Sequence, residues 1–598
     1  MEKTIKNKII YVVLYFVLNI LCTILLTTNI ILENLNPFPR TIFMVINSFF
    51  GDFGFFLIFL GLAIFIFKKD YHRARFLMYI SILFTIFYFA LSVYFQHYKT
   101  FFSFYNLSAF KSEASGDALE YIIDSLLMLL TSAKFIFLCF TAFFIFLFIR
   151  LFKLYRKDLN FYNSSIVTGK DRVIIGLGFV LVGMLLMVSS LSAYRVDIED
   201  TWYEDNSSPL YGAETVGLFN YYIYEGYAYL TGKFNVINQE KYKKVKDKLK
   251  EYQNSANISP IDGFEYLEKY QGIFKDKNLI LIQLESFNNF VIGLEIKVDD
   301  EYLEVTPNIN RIVKKSLYFD NYYTSVGIGN TSDAEFTSLT GLYPIGNDYI
   351  IYDHDDVIYP TLPRLFKEQG YYTYSSHANT GKFYERARVH TSVYGFDKHY
   401  AKEELNVKSD MLIHSWLNDY DFLMQNIDIL YNEAQKQNVF AFLVTISAHM
   451  PYSKPNEAKG ENWFPYKSNL FKPGTTLVDN PIINTQILGY LEHIAFTDYA
   501  IGKALERLEE LGLAENTVVI LYGDHGCDID AYELFYQKKI NLRNNINDMI
   551  SYVSNLENRV MQNRLFNANI PLIIYDPATN PRINFEKISL VRGQNTLA

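Results

Sequence analysis

The sequence has very little cysteine, with three residues in 598 at Cys22, Cys139 and Cys527. Two of them lie in apolar runs and the third stands alone, so the spacing predicts no disulfide framework. The sequence also lacks an excess of positive charge: 55 Lys and Arg face 64 Asp and Glu, which gives a formal net charge of −9. This balance argues against nucleic acid as a partner.

Apolar residues are abundant, since half of the chain is hydrophobic and 17% is aromatic. Five apolar stretches occupy the first two hundred residues, roughly 9–32, 43–67, 76–95, 121–149 and 173–193. Each is long enough to cross the ~30 Å hydrocarbon core of a bilayer as a helix. The first stretch has no convincing small-residue cleavage site, and four more follow it. The pattern therefore predicts a five-helix transmembrane domain over residues 1–194.

Lysine and arginine are unevenly distributed between the loops of this domain. Basic clusters precede the first stretch, follow the second and separate the fourth from the fifth, whereas the loops 33–42 and 96–120 are poorer in them. The positive-inside rule then puts the N-terminus inside and everything after residue 194 outside. Asp52, Asp124 and Lys134 lie within or beside the spans, and the scarcity of charge inside the spans favours an anchor over a transport path.

Residues 195–277 are polar and aromatic and predict a helical connector. A tyrosine-rich segment, 217–224, is typical of the start of an amphipathic helix. Its rings suit either the membrane interface or packing against the next domain, and the sequence does not separate these alternatives.

From residue 278 to 598 the pattern alternates between strands and helices. Short apolar runs at 278–284, 371–376, 439–447 and 517–523 predict buried strands, and 361–369 and 498–511 are among the helical stretches between them. This alternation predicts an α/β domain with a mainly parallel sheet and helices on both faces. Ligands of such sheets bind beyond the carboxyl ends of the strands.

The four predicted strands end in residues that carry chemistry: Glu285, His377, His449 and the pair Asp524-His525. One acidic residue after a strand is usually a helix cap, but four coincidences favour a site. Glu285, Asp524 and His525 offer two hard oxygens and one imidazole, a set that suits Mn²⁺, Mg²⁺ or Zn²⁺.

The segment from Gly329 to Gly341 predicts a tight loop that leads into a helix, with Thr331 in the first turn. Gly327 and Gly329 permit an unusual backbone there, and the free N–H groups of a helix N-terminus bind phosphate or sulfate. A lone threonine here is usually an ordinary N-cap. A threonine hydroxyl beside a dication, however, can lose its proton near neutral pH and act as a nucleophile.

Two further roles follow from this hypothesis. A leaving oxygen needs a proton, and either His449 or His377 is placed to supply it. Arg386 and Arg388 are placed to hold phosphate oxygens.

Together these features resemble the lipoteichoic acid synthase type of phosphoglycerol transferase, in the alkaline phosphatase/sulfatase superfamily. The resemblance is carried by the five N-terminal spans and by three motifs, Leu284-Glu285-Ser286, Gly329-Asn330-Thr331-Ser332-Asp333 and Tyr522-Gly523-Asp524-His525. It runs over nearly the whole chain. Each motif alone is weak, but the combination is specific.

The resemblance implies site residues in this chain. Mn²⁺ would be held by Glu285, Thr331, Asp524 and His525, with Thr331 as the nucleophile. His449 matches a substrate-binding histidine, Arg386 a phosphate-binding arginine and His377 a further active-site histidine. Tyr384 falls where the best-known members have tryptophan at the glycerol contact.

The implied reaction transfers glycerol phosphate from phosphatidylglycerol to a glycolipid or a growing polyglycerol phosphate. Phosphoethanolamine transfer on the same scaffold is the nearest alternative, although such enzymes usually carry disulfides. A true sulfatase would need Cys/Ser-x-Pro-x-Arg where this chain has Thr331-Ser332-Asp333-Ala334-Glu335. A non-enzymatic sensor would have lost a nucleophile or a metal ligand. Family members usually continue beyond the final apolar run 570–577, so the short remainder predicts a truncated or frayed C-terminus.

Overall fold

The computed structural model describes residues 2–27, 42–98, 101–104, 135–157, 165–198, 209–231, 269–298, 301–344, 350, 357–413, 415–452, 481–527, 529 and 565–598. The chain divides into two compact units. The first comprises Met1–Leu107 and Leu126–Lys244, and the second comprises Ser108–Ser125 and Val245–Ala598. The predicted connector lies mostly outside the described residues, and the predicted domain boundaries remain predictions.

The described part of the first unit is helical. Its helices are α1 (Glu2–Leu26), α2 (Ile42–Ile66), α3 (Asp70–Tyr98), α4 (Phe135–Lys157), α5 (Gly169–Ile198), α6 (Pro209–Val216) and α7 (Leu218–Thr231). Among the described residues, α1, α2, α3 and α5 contain segments long and apolar enough to cross a membrane. The apolar part of α4, Phe135–Leu151, is shorter, and residues 121–134 of the predicted fourth span lie outside the described residues. The predicted count of five spans stays a prediction.

Helices α2 and α5 pack closely because glycines face each other across the contact. A Cβ atom on Gly61 would lie 2.6 Å from the carbonyl oxygen of Gly176, so neither helix tolerates a side chain there without moving. Asp52 accepts a hydrogen bond from the backbone N–H of Phe219 at 3.3 Å, at the start of α7. This contact agrees with the anchor interpretation of Asp52, whereas Asp124 and Lys134 lie outside the described residues.

The tyrosine-rich segment of the connector packs within this first unit. Tyr221 and Tyr222 are buried, and the Tyr222 hydroxyl donates to the carbonyl oxygen of Phe102 at 2.8 Å. Phe219 stacks on Phe55 with ring centroids 4.3 Å apart. Phe219 and Tyr222 therefore belong to the buried core in which the apolar helices pack together.

The second unit is an α/β domain. Its strands are β1 (Asn278–Leu284), β2 (Glu295–Val298), β3 (Glu301–Glu304), β4 (Leu317–Tyr323), β5 (Tyr372–His377), β6 (Lys398–Tyr400), β7 (Leu412–Ile413), β8 (Trp416–Leu417), β9 (Val439–Val444), β10 (Thr517–Gly523), β11 (Asn569–Tyr575), β12 (Glu586–Ile588) and β13 (Arg592–Gly593). Its main helices are α8 (Pro307–Val313), α9 (Thr331–Thr340), α10 (Leu362–Glu368), α11 (Asp419–Ala434) and α12 (Pro481–Glu510).

The central sheet has the order β12-β4-β11-β10-β1-β9-β5-β6, and β13 also pairs with β4. Strand β11 runs antiparallel to β10 and β4, and the other pairs are parallel. The α/β class with a mainly parallel sheet is thus confirmed. The loop of Thr331 follows β4, and β2, β3, α8 and β4 lie between β1 and this loop.

The sheet register brings the predicted strand ends together. Leu284 at the end of β1 pairs with Gly523 at the end of β10, and Val444 at the end of β9 pairs with His377 of β5. On one face, apolar side chains of β1 and β9 form a buried cluster with Phe336 and Leu339 of α9. This packing fixes the helix that begins with Thr331 against the strands that carry the site.

Candidate functional site

Glu285, Asp524 and His525 form a compact cluster at the carboxyl ends of β1 and β10. Their potential ligand atoms all lie within 4.8 Å of one another. Glu285 and Asp524 are buried, with exposed fractions of 1% and 0%. The adjacency follows from the register, because Glu285 and Asp524 come directly after the paired strand ends Leu284 and Gly523, and His525 follows Asp524.

The backbone orients Asp524 and His525 within this cluster. The Oδ1 atom of Asp524 accepts hydrogen bonds from the N–H of Ser286 at 2.8 Å and of His525 at 2.6 Å. Its Oδ2 atom has no hydrogen-bond partner among the described residues. The Nδ1–H of His525 donates to the carbonyl oxygen of Gly526 at 2.9 Å, which leaves Nε2 directed at Glu285 Oε1, 3.4 Å away.

The two carboxyl groups and the imidazole of this cluster shift one another's pKa values. Burial and the nearby charge of Glu285 raise the pKa of Asp524 well above its usual value. Burial opposes protonation of His525, but Asp524 and Glu285 outweigh it and raise the His525 pKa. Burial likewise raises the pKa of Glu285, yet the charges of His449 and His525 prevail and lower it to about 2.

A buried carboxylate oxygen without a partner is costly unless a cation or donor reaches it. Two carboxylates, one oriented imidazole nitrogen and a nearby hydroxyl form a donor set that suits a hard or borderline dication. The residues present therefore fit the metal that the resemblance implies.

Thr331 is the first residue of α9 and lies beside this cluster. Its Oγ1 atom is 3.4 Å from Glu285 Oε2 and 3.5 Å from His525 Nε2. The preceding residue, Asn330, has a φ of 41° and its side chain makes no capping hydrogen bond. Thr331 is therefore not an N-cap, and its hydroxyl faces the acidic cluster.

The loop before α9 is held by Asp333. Its Oδ2 atom accepts hydrogen bonds from the N–H groups of Gly327 at 2.8 Å and Gly329 at 3.1 Å. A Cβ atom on Gly329 would lie 2.3 Å from Asp333 Oδ1, so glycine is required for close approach. The residue with a positive φ in this loop is Asn330, and neither Gly327 nor Gly329 has one.

Ser332 points away from the cluster. Its hydroxyl donates to the carbonyl oxygen of Gly329 at 2.9 Å, and its side chain is buried. Of the two neighbouring hydroxyls, Thr331 alone contacts Glu285 and His525 in the described structure.

The cluster opens into a cavity of about 500 Å³. The predicted residues that line it are Glu285, Thr331, His377, Tyr384, Arg386 and His449. Residues that lie far apart along the chain thus share one space in front of the Thr331 hydroxyl. Arg388 behaves differently, since its exposed guanidinium pairs with Glu385 at 2.6 Å.

The two cavity histidines are held in defined orientations. The Nδ1–H of His377 donates to the carbonyl oxygen of Val444 at 3.0 Å, and burial together with the charge of Arg386 lowers the His377 pKa to about 3. The Nδ1–H of His449 donates to Met450 at 2.7 Å, and its ring lies 5.5 Å from that of Trp416. In each histidine, the hydrogen bond that fixes the ring is made by Nδ1.

Sequence reasoning missed several residues of this cavity. Lys382, Lys402 and Trp416 also line it, and Glu335 pairs with Arg386 at 2.6 Å behind it. Lys382 precedes Arg386 by four residues, which gave a weak local signal. Lys402 and Trp416 lie in unremarkable sequence. Glu335 belongs to the segment that begins α9, but nothing in the sequence marks it as the partner of Arg386.

Residues 277–597 match the Sulfatase family model. The chain is 27% identical over 489 residues to a lipoteichoic acid synthase of Staphylococcus saprophyticus, covering 78% of this chain and 66% of that protein. It is 28% identical over 321 residues to lipoteichoic acid synthase 1 of Bacillus subtilis, covering 53% and 45% respectively. The chain thus spans no more than about two thirds of the length of these relatives.

Two solved structures are also similar. The lipoteichoic acid synthase LtaP from Listeria monocytogenes aligns with a TM-score of 0.42 and 24% identity, over 55% of this chain and 71% of that chain. A Streptococcus pyogenes phosphoglycerol transferase, GacH, in complex with sn-glycerol-1-phosphate aligns with a TM-score of 0.35 and 18% identity, over 56% and 79%. The family model covers more than half of the chain, which confirms the resemblance that the motifs predicted: the protein belongs to the sulfatase family.

Proposed function

We propose that the protein is a membrane-anchored phosphoglycerol transferase of lipoteichoic acid synthesis. It moves glycerol phosphate from phosphatidylglycerol to a glycolipid or polyglycerol-phosphate acceptor through a covalent intermediate on Thr331. One observation carries the proposal. The Thr331 hydroxyl lies beside the candidate metal-binding cluster of Glu285, Asp524 and His525, and it lines a cavity that is also lined by the buried Arg386. The names of the relatives from Staphylococcus saprophyticus and Bacillus subtilis support the same reaction class.

Glu285, Asp524, His525 and Thr331 would hold the metal, which we propose to be Mn²⁺, with Mg²⁺ and Zn²⁺ as alternatives. When bound, a dication supplies positive charge that lowers the pKa of a hydroxyl and offsets the charge of phosphoryl oxygens. The orphaned Oδ2 of Asp524 and the oriented Nε2 of His525 prepare this position within the protein.

In the first step, Thr331 Oγ1 loses its proton to solvent and attacks the phosphorus of phosphatidylglycerol. The bond from phosphorus to the diacylglycerol oxygen breaks, and that oxygen takes a proton from His449, which gives free diacylglycerol and a glycerophospho-threonine. In the second step, His449 accepts the proton of an acceptor hydroxyl, which attacks phosphorus. The bond from phosphorus to Thr331 Oγ1 breaks, and Thr331 regains a proton from solvent.

We assign the proton transfers to His449 rather than to His377. With a pKa lowered to about 3, His377 is neutral at physiological pH and carries no proton on Nε2. That nitrogen is therefore an acceptor, suited to a hydroxyl of the glycerol group. Tyr384, at the cavity wall, is placed to contact the same group, and Arg386 to bind a phosphoryl oxygen.

A lipid donor also accounts for the apolar helices, because an anchor brings the enzyme to the surface that contains its substrate. We place the catalytic domain outside the cell, on the distribution of lysine and arginine between the loops. Protease added to intact cells should then release a folded fragment that begins near residue 200. Protection of that region, with the loop 150–172 accessible instead, would contradict this orientation.

The full chain, reconstituted in liposomes with Mn²⁺ and glycerol-labelled phosphatidylglycerol, tests the proposed reaction. We expect diacylglycerol release and transfer of label to a glycolipid acceptor. A parallel reaction with phosphatidylethanolamine should be slow. Preferential consumption of phosphatidylethanolamine would identify a phosphoethanolamine transferase, and release of free glycerol phosphate alone would identify a hydrolase.

A further inference from the structure

Arg386 begins a three-residue helical turn, Arg386–Arg388, that directly follows a strained segment. The two residues before it, Tyr384 and Glu385, have φ angles of 54° and 48°, in the region that non-glycine residues seldom adopt. A long side chain on such a turn has many rotamers of similar energy. Some other part of the protein must therefore determine where its guanidinium lies.

Glu335 provides that constraint. Its Oε1 atom accepts hydrogen bonds from Arg386 Nη2 at 2.6 Å and from Nε at 3.0 Å. Both side chains are only 2% exposed. Arg386 Nη1 is buried and has no hydrogen-bond partner among the described residues, although Arg386 lines the cavity. The pair thus uses one edge of the guanidinium and leaves the remaining nitrogen for a ligand.

Glu335 is itself fixed by a second partner. Its Oε2 atom lies 2.8 Å from His390 Nε2, and the His390 ring stacks against Phe396 and Phe442 with centroids 5.8 and 6.1 Å away. Burial raises the pKa of Glu335, but Arg386 and His390 outweigh it and hold that pKa below its usual value. The carboxylate therefore stays charged and immobile.

Glu335 also links Arg386 to the nucleophile. It lies four residues after Thr331 in α9, one helical turn along the same face. The hydroxyl that attacks phosphorus and the carboxylate that holds the arginine are thus carried by one rigid helix. Any shift of α9 moves both groups together, so their separation is preserved.

We propose that Glu335 is a positioning residue that aims Arg386 Nη1 at a phosphoryl oxygen of the substrate. This inference rests on the proposed function, because it assigns Arg386 to the phosphate group that is transferred. A charge-assisted hydrogen bond from a preorganised guanidinium is stronger and more directional than one from a free side chain. Glu335 therefore contributes to phosphate binding without touching the substrate.

A merely structural ion pair would give a different result from a positioning pair. Loss of a structural pair lowers thermal stability, and its effect on ligand binding is independent of Arg386. Loss of a positioning residue weakens phosphate binding only while Arg386 is present. The two substitutions are therefore non-additive in phosphate affinity when Glu335 acts through Arg386.

The test uses the full chain in detergent with Mn²⁺ and four variants: Glu335→Gln, Arg386→Met, the two combined, and Glu506→Gln. The double variant removes both buried charges together, so neither remains unpaired. Glu506 forms an exposed pair with Lys503 and serves as the matched control. Binding of glycerol phosphate and of inorganic phosphate is measured by calorimetry, alongside metal content and the thermal midpoint.

We expect Glu335→Gln to weaken the binding of both ligands by about tenfold or more, with full metal content. Arg386→Met should weaken it at least as much, and the double variant no more than Arg386→Met. Glu506→Gln should bind like the wild type. Should Glu335→Gln fail to fold, comparison of the double variant with Arg386→Met decides: a further loss of phosphate affinity in the double variant overturns the proposal.

Wild-type affinity in Glu335→Gln, or losses that multiply in the double variant, would also overturn it. Failure of the proposed function looks different. If the donor is another phospholipid, the wild type will not consume phosphatidylglycerol, yet inorganic phosphate binding will still depend on Glu335 and Arg386 together.

Discussion

Three buried carboxylates lie at this site, and they differ in the cationic partners that the protein supplies. Glu335 is the paired carboxylate, and Glu285 and Asp524 are the carboxylates of the metal-binding cluster. Glu335 is bonded to a guanidinium at 2.6 Å and to an imidazole at 2.8 Å. Glu285 and Asp524 share a single imidazole, at 3.4 and 3.5 Å, and Asp524 Oδ2 has no hydrogen-bond partner among the described residues.

The fold thus supplies the paired carboxylate with enough cationic partners, whereas the carboxylates of the metal-binding cluster lack sufficient positive charge. A buried anion with a bidentate cationic partner needs nothing further. Two buried anions around one imidazole repel each other unless more positive charge arrives. The first arrangement suits a positioning element, and the second suits a metal site.

The largest loss of activity should come from removing the Thr331 hydroxyl, which lies beside the metal-binding cluster. Thr331→Ala should lower turnover by roughly a thousandfold or more, because it removes the hydroxyl that lies beside both Glu285 Oε2 and His525 Nε2 and lines the cavity. It should lower the free energy of unfolding by only about 1 kcal/mol. Phosphatidylglycerol turnover and thermal denaturation measure these two quantities.

Ser332→Ala is the matched control for that variant, since the Ser332 hydroxyl donates to Gly329 instead. It should retain most of the activity. Full diacylglycerol release by Thr331→Ala, with loss of activity in Ser332→Ala, would show that the two roles have been exchanged.

Metal content should distinguish the two carboxylate groups. Glu285→Ala and Asp524→Ala each remove a charged ligand from a small set, so metal affinity should fall by at least about 10–100-fold and activity should disappear. Glu335→Gln should keep its metal. Elemental analysis of the purified variants measures this, and stoichiometric metal in both alanine variants would place the metal elsewhere.

The smallest effect is on the free energy of unfolding of the metal-free protein. Substitution of Asp524 and substitution of Glu335 should change this free energy in opposite directions. In chelator-treated protein, Asp524→Asn removes one of two repelling charges and should raise the free energy of unfolding by about 1 kcal/mol. Glu335→Gln leaves Arg386 buried without its anion and should lower it by about 3 kcal/mol. Denaturant titrations check both signs, and a loss of stability in both variants would remove the contrast.

The metal-binding cluster was predictable from the sequence, because its residues directly follow the ends of two strands. The runs 278–284 and 517–523 match β1 and β10 residue for residue, and the carboxyl ends of adjacent parallel strands meet at one edge. Glu285, Asp524 and His525 follow directly. Their adjacency needed only the sheet class and no side-chain detail.

The pairing of Glu335 with Arg386 was not predictable in this way. In the sequence, Glu335 is one acidic residue of the segment that follows Thr331, and the structure pairs it with Arg386, 51 residues away. Its other partner, His390, lies in an irregular turn that no periodic pattern marks. Such pairs depend on how loops fold over the sheet.

The central claim, that Thr331 carries the transferred group, can be tested by mass spectrometry of the wild-type chain. The protein is incubated with phosphatidylglycerol and Mn²⁺ without acceptor, quenched in acid and digested. We predict that the mass of one glycerophosphate group is found on the peptide that contains Thr331, and that fragmentation places it on that residue. A modification on Ser332, or diacylglycerol release with no modified peptide, would contradict the claim.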